Sequence, residues 1–232
     1  MQVFVRIDLG STTTRAVALD AAGAVLGRGV TSSRRDAEVS RAVARADALE
    51  DARLTLVRRA LAARGHDPAE TERLVARLEE RLRFAQHLVQ LKQFEANLLT
   101  ALPAIERRYP GAHLEPAVRE VLAGLRRASP ASPASFRDVT AARWTSLARA
   151  ASTATERPLE ALFAAFDEAI ALVDGRPVEV TLPMIVGVAV RDAVPAKEAH
   201  AVEAAIERAA CTPLEVVSLV CAAQEATAPA AG

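Results

Sequence analysis

The hydrophobic and polar positions of this chain change period twice, and the changes divide it. Val3, Val5 and Ile7 alternate with Phe4, Arg6 and Asp8, the period of two that a strand with one buried face requires. Gly10-Ser11-Thr12-Thr13-Thr14 interrupts the alternation as a turn, and a second strand is predicted from Arg15 to Leu19. Asp20-Ala21-Ala22-Gly23 reads as a second turn and Ala24 to Val30 as a third strand. After a polar corner at Thr31-Ser32-Ser33 the spacing becomes helical. From Asp36 to Arg64, Val39 and Val43, then Leu54, Val57 and Leu61, recur at threes and fours, and Gly65 ends the run. Asp67-Pro68-Ala69-Glu70 reads as a capping box with proline at the first helical position. The helix it opens places Leu74, Leu78, Leu82, Ala85, Leu88 and Leu91 on one stripe, and the short turn before it predicts antiparallel packing on its predecessor.

Pro103 and then Tyr109-Pro110-Gly111 are expected to break the following stretch. Pro116 opens a helix with Val118, Val121, Leu122 and Leu125 on its buried face. Ser129 to Ser135 reads as a Pro/Ser linker, and Ser135 with Asp138 restarts a helix. Leu159, Leu162, Phe163, Phe166, Ile170 and Val173 form an amphipathic stripe that Asp174-Gly175-Arg176-Pro177 stops. The apolar run Met184 to Val190 is too short for periodicity to decide between strand and helix. Pro195 is expected to open a last helix to Ala210, and Leu214 to Val220 reads as a buried strand. The expected organisation is a hairpin unit over 1–33, a helical insertion over 34–210, a returning strand over 211–221 and a disordered tail over 222–232.

Composition adds limits. Apolar residues make up 51% and aromatics 3%, which supplies a core and favours helix over sheet. Lys+Arg and Asp+Glu balance at 29 each, so no net charge draws the chain to nucleic acid. The many arginines read as solvated helix faces. Cys211 and Cys221 have no ligand-spaced partner, and the expectation is two buried small hydrophobes. No signal peptide and no apolar run of membrane-spanning length is visible, and a cytoplasmic setting without membrane attachment is expected.

Chemistry concentrates in the first turn. A tight turn converges backbone N–H groups on one point, hydroxyls add short donors, and an adjacent carboxylate can orient a magnesium-bound water. Neither common glycine-rich phosphate motif fits. The P-loop needs four residues between its glycines followed by Lys-Ser/Thr, and the dinucleotide fingerprint needs three spaced glycines, where only Gly10 stands here.

The run Ile7-Asp8-Leu9-Gly10-Ser11-Thr12-Thr13-Thr14-Arg15-Ala16-Val17 instead resembles the first phosphate motif of the actin-like (ribonuclease H-like) ATPase superfold. The form D-L-G-S-T-T-T is that of the activator ATPases of 2-hydroxyacyl-CoA dehydratases and the ATP-binding subunits of benzoyl-CoA reductase. Residues 27–61 and 136–177 are similar to the A-type subunit of ATP-dependent benzoyl-CoA reductase, and the helical block favours that branch over the shorter activators. The resemblance implies an α/β fold, a partial actin-like lobe whose hairpin sheet carries a large helical insertion. It implies ATP and Mg2+ as cofactors, with Asp8 as the catalytic residue holding a magnesium water, Gly10 for close backbone approach, Ser11, Thr12 and Thr13 for phosphate oxygens, and Arg15 where relatives commonly carry Lys. Thr14 is read as packing. Implied partners are a sister ATPase subunit, the reductase subunits and ferredoxin, in a complex that uses ATP hydrolysis to drive low-potential electrons into benzoyl-CoA.

The family's later parts are missing from this sequence. After Val220 comes Cys221-Ala222-Ala223-Gln224 rather than a V-G-T-G-Y-G-R segment. No second D-I-G-G-Q-D phosphate motif, adenosine segment or C-A-A-G-C cysteine context follows, so ligands for the family's [4Fe–4S] cluster are not assigned. The sequence is expected to be an N-terminal portion of such a subunit, ended by a truncation or split gene. The alternatives are a dehydratase activator and a non-catalytic interaction module whose hairpin is a remnant; a complete sugar-kinase-type phosphotransferase is disfavoured.

Overall fold

The computed structural model describes residues 1–33, 36–127, 136–174, 177–193 and 199–223. The fold is mixed α/β and mostly helical, with one four-stranded mixed sheet and seven helices among the described residues. Strands β1 (Gln2–Leu9), β2 (Thr13–Leu19) and β3 (Val25–Ser32) form an antiparallel meander. Strand β4 (Glu215–Ala223) lies parallel to β1 on its other side, giving the order β3-β2-β1-β4. The hairpin lengths exceed the sequence expectation because Thr13, Thr14, Thr31 and Ser32 extend the pairing by side-by-side registry. At the β2–β3 turn the Asp20 carboxylate accepts the amides of Ala22 at 3.1 Å and Ala24 at 2.9 Å, and Gly23 takes φ 79°. The Ala24 amide, and then Arg59 at 3.1 Å, hold that carboxyl below its ordinary value.

The chain forms two compact units, residues 1–82 with 177–232 and residues 83–176. In the first, helix α1 (Ala37–Ala62) covers one sheet face, its N-terminus capped by Asp36, whose side chain accepts from Glu38 and Val39 amides. Val3, Val5, Ile7, Ala16, Ala18 and Leu26 from the sheet meet Ala44, Ala48 and Ala52 of the helix. Gly27 and Gly29 of β3 make that approach possible. A methyl on Gly29 would collide with the Ala44 carbonyl oxygen and come within 2.7 Å of the Ala48 nitrogen, and one on Gly27 would strike the backbone of Ala48 and Ala52.

Helix α2 (Pro68–Arg108) begins in this unit, where Val75, Leu78 and Leu82 join Leu54, Val57 and Leu61 of α1 in a second core. Asp67 caps it as expected, accepting the Glu70 amide at 3.0 Å, although Glu70 itself turns toward Arg73 at 4.0 Å. The undecided run at Met184 is helix α6 (Leu182–Ala193), and α7 (Ala199–Ala210) follows; Pro195 lies outside the described residues. Both dock on α1 through one polar pair. Buried Glu50 accepts the Leu182 amide at the start of α6 at 2.8 Å, and Arg53 donates to the carbonyls of Ala210 (2.7 Å) and Thr212 (3.0 Å) at the end of α7. The negative group meets a helix N-terminus and the positive group a C-terminus, each satisfying otherwise orphaned backbone groups.

The second unit contains the rest of α2 with α3 (Glu115–Arg127), α4 (Phe136–Thr155) and α5 (Leu159–Asp174). Its core centres on Phe94, Trp144 and Phe166, whose ring centroids are 5.4–5.7 Å apart. Three sequence expectations change. Pro103 does not break the helix; α2 runs on to Arg108, because Pro103 and Leu99 are both on its exposed side and water can take the carbonyl the missing N–H leaves. The stop comes at Tyr109-Pro110-Gly111, where Gly111 has φ 78°. Leu88 is exposed rather than on the buried stripe: buried positions pass from Leu78 and Leu82 to Leu91, Phe94 and Leu98, a change of phase that leaves it outside. Cys211 is also exposed, since it falls in the turn that ends α7. The Ser129–Ser135 linker, Gly175-Arg176 and the tail from Gln224 lie outside the described residues.

Two outcomes follow for stability. Gly29→Ala should lower the urea midpoint sharply, by at least about 1–3 kcal/mol of unfolding free energy, because backbone rather than a flexible side chain must move. His87, half-buried against Phe136, is held below its ordinary value first by burial and then by Arg143. The unfolded chain therefore binds a proton that the folded chain resists, so stability should be level above about pH 6.5 and fall as pH drops below it. His87→Gln should flatten that part of a stability–pH curve measured by denaturant titration; an unchanged slope would show that His87 is not its source.

Candidate phosphate-binding site

The tip of the β1–β2 hairpin is four residues closed by one bond, from the Gly10 amide to the Thr13 carbonyl at 3.0 Å. Ser11 and Thr12 form the apex and are exposed, and their N–H groups have no backbone acceptor among the described residues. Two unused amides beside three hydroxyls (Ser11, Thr12, Thr13) are donors without a carboxylate among them, the composition an anion site needs. Side-chain alternation then sorts the remaining residues between the two faces of the sheet. Thr14, Ala16 and Ala18 point toward α1 and are buried, so Thr13 and Arg15 are on the open face. On β1, Val3, Val5 and Ile7 point toward α1, which puts Asp8 on the open face as well.

Register sets the charges. Asp8 pairs with Arg15 across β1 and β2, and Leu9 with Thr14, so the carboxylate and the guanidinium are direct cross-strand neighbours just behind the tip. Neither has a hydrogen-bonding or ion-pairing side chain among the described residues. The structure thus gathers Asp8, Gly10, Ser11, Thr12, Thr13 and Arg15 at one end of the sheet, with the donors at the apex and the charged pair behind. Thr14 is fully buried, its hydroxyl 3.2 Å from that of Ser33, in keeping with a packing role.

The sequence reading missed Ser33. It follows β3, and its amide reaches the Thr12 carbonyl at 2.8 Å while its hydroxyl donates to the Gly10 carbonyl at 2.5 Å. Spacing alone gives no sign of this, because it depends on the third strand returning to the tip of the first two.

Other places hold less chemistry. A depression of about 330 Å3 between α1 and α7 is lined by Leu56, Ala60, Arg64, Arg208 and Thr212 among others. It lies toward the C-terminal end of α1, the end tied by Arg59 to the opposite hairpin turn, and not at the tip. No group of three or more His, Cys, Asp or Glu that could hold a metal occurs among the described residues. Cys211 is exposed in the turn after α7, and the backbone of Cys221 lies opposite Ile7. Among the described residues no helix is long and apolar enough to cross a membrane. Comparisons with protein-family models, curated proteins and solved structures find no match to this chain.

Among the described residues the Asp8 and Arg15 side chains make no hydrogen bond or ion pair. Asp8→Ala and Arg15→Ala should each change unfolding free energy by no more than about 0.5 kcal/mol, as read by urea denaturation. A loss well above that would mean the pair serves the sheet rather than a ligand.

Proposed function

We propose that this chain grips the phosphates of Mg–ATP through its first hairpin and is a portion of an ATP-binding subunit like that of ATP-dependent benzoyl-CoA reductase. The observation that carries the reading is the hairpin tip itself: unused amides and hydroxyls at the apex, with Asp8 and Arg15 opposed behind it and uncommitted to other side chains. The strand order β3-β2-β1-β4, with β4 parallel to the strand that leads into the loop, supports assignment to an actin-like lobe. The placement of most of the helical chain between β3 and β4 supports the reductase branch.

In this reading the Ser11 and Thr12 amides and the hydroxyls of Ser11, Thr12 and Thr13 receive phosphate oxygens, and Gly10 lets the backbone come close. Asp8 orients a magnesium-bound water, and Arg15 contributes positive charge. Arg keeps the charge of the more usual Lys but spreads it over a planar fork, so it suits two oxygens rather than one. Bound magnesium would supply neutralisation of phosphate charge. In the whole complex, contacts made differently to ATP and to its hydrolysis products would bias a hinge between lobes and so gate electron transfer from ferredoxin toward benzoyl-CoA.

Calorimetric titration with ATP, with and without magnesium, tests the site. Wild-type protein should bind weakly and in a magnesium-dependent manner, and Asp8→Ala should reduce affinity about tenfold or more. A Ser11→Ala/Thr12→Ala double variant should also bind more weakly. Unchanged affinity in both would remove the phosphate assignment. Because this sequence carries no second phosphate motif, turnover by the chain alone should be weak or undetectable, and robust hydrolysis by homogeneous protein would contradict the reading. Co-purification with reductase subunits rather than a dehydratase would separate the two family branches.

A further inference from the structure

The loop's donors are useful only if they face outward, and one residue outside the loop controls that. We propose that Ser33 is the positioning residue of the phosphate loop, acting through the peptide between Gly10 and Ser11. The proposal rests on the phosphate reading above. The Ser33 hydroxyl donates to the Gly10 carbonyl at 2.5 Å, and the Ser33 amide donates to the Thr12 carbonyl at 2.8 Å. In a planar trans peptide the C=O of one residue and the N–H of the next point in opposite directions. Fixing the Gly10 carbonyl toward Ser33 therefore fixes the Ser11 N–H away from it, on the side where an anion can approach. The Thr12 carbonyl, held the same way, cannot swing its negative oxygen into the anion's path.

The surroundings keep Ser33 in that pose. Buried Thr14 places its hydroxyl 3.2 Å from the Ser33 hydroxyl, so the latter has a polar neighbour besides the carbonyl it serves. Glycine at position 10 has the least resistance to peptide rotation of any residue, so without a clamp the Gly10–Ser11 peptide would sample the flipped orientation, presenting a carbonyl oxygen to the ligand. What Ser33 provides is preorganisation: the donor is aimed before the anion arrives.

The ligand that this geometry recognises is a phosphate chain. Nothing in the loop reads a base, so tripolyphosphate should bind this chain about as well as ATP. The experiment is calorimetric titration of the full chain with magnesium tripolyphosphate, for wild type, Ser33→Ala and Ser33→Thr, alongside thermal unfolding of each. Ser33→Ala should bind about three- to tenfold more weakly, the range for loss of one hydrogen bond. Ser33→Thr, which keeps the hydroxyl, should restore affinity. The amide resonance of Ser11 should move in Ser33→Ala and return in Ser33→Thr, a readout independent of ligand. If wild type binds and Ser33→Ala binds equally well, the positioning role is overturned while the phosphate site stands. Equal weakening of both variants with equal loss of thermal stability would assign Ser33 to the fold alone. If wild type binds no tripolyphosphate, the phosphate reading fails and takes this one with it.

Discussion

The approach of α1 to β3 is the constraint on which the first unit depends. Gly27 and Gly29 present bare backbone, and Ala44, Ala48 and Ala52 meet it at four-residue intervals, so helix and sheet pack at a distance set by main chain rather than side chains. That spacing fixes the orientation of α1. It brings Arg59 to the carboxylate of Asp20 at one end of the hairpin, and it puts Glu50 and Arg53 where the start of α6 and the end of α7 need them. At the other end of the hairpin the β2–β3 ladder, pairing Thr13 with Ser32 and Thr14 with Thr31, brings Ser33 to two carbonyls of the tip. A loop of small residues has little rigidity of its own; here its carbonyls are held by Ser33, delivered by the adjoining β2–β3 ladder.

The candidate site and its scaffold divide the work cleanly. Buried positions of the hairpin carry the packing, with Thr14 as the one hydroxyl among them, while Asp8, Thr13 and Arg15 occupy the other face and make no side-chain contribution to the core. Because strands alternate strictly, a one-residue slip in register would exchange the two sets. The pairing of Asp8 with Arg15 is thus guarded by the burial of Ile7 and Ala16 beside them.

Much of this was legible in the sequence, and the exceptions have physical reasons. Period-two alternation located β1, the turn after it placed β2, and Asp67-Pro68 located the start of α2, because each rests on local geometry. Pro103 misled because its effect depends on which side of the helix its missing bond faces. The Met184 run could not be assigned because it is too short for periodicity to decide, and Glu50, which caps the first amide of its helix, is close only after folding. Gly27 and Gly29 did carry a signal, since glycine in a strand interior often marks a close backbone approach. Ser33 carried none, as one hydroxyl among three in a polar corner.

The parallel pairing of β1 with β4 has a consequence for how the molecule is made. The meander can close from neighbouring residues, but β4 arrives roughly 200 residues after β1 in the chain. Until then β1 offers a free row of backbone donors and acceptors, and it is the strand that feeds the loop at Gly10. A nascent chain therefore carries an unpaired β1 edge, next to the turn at Gly10, until β4 docks.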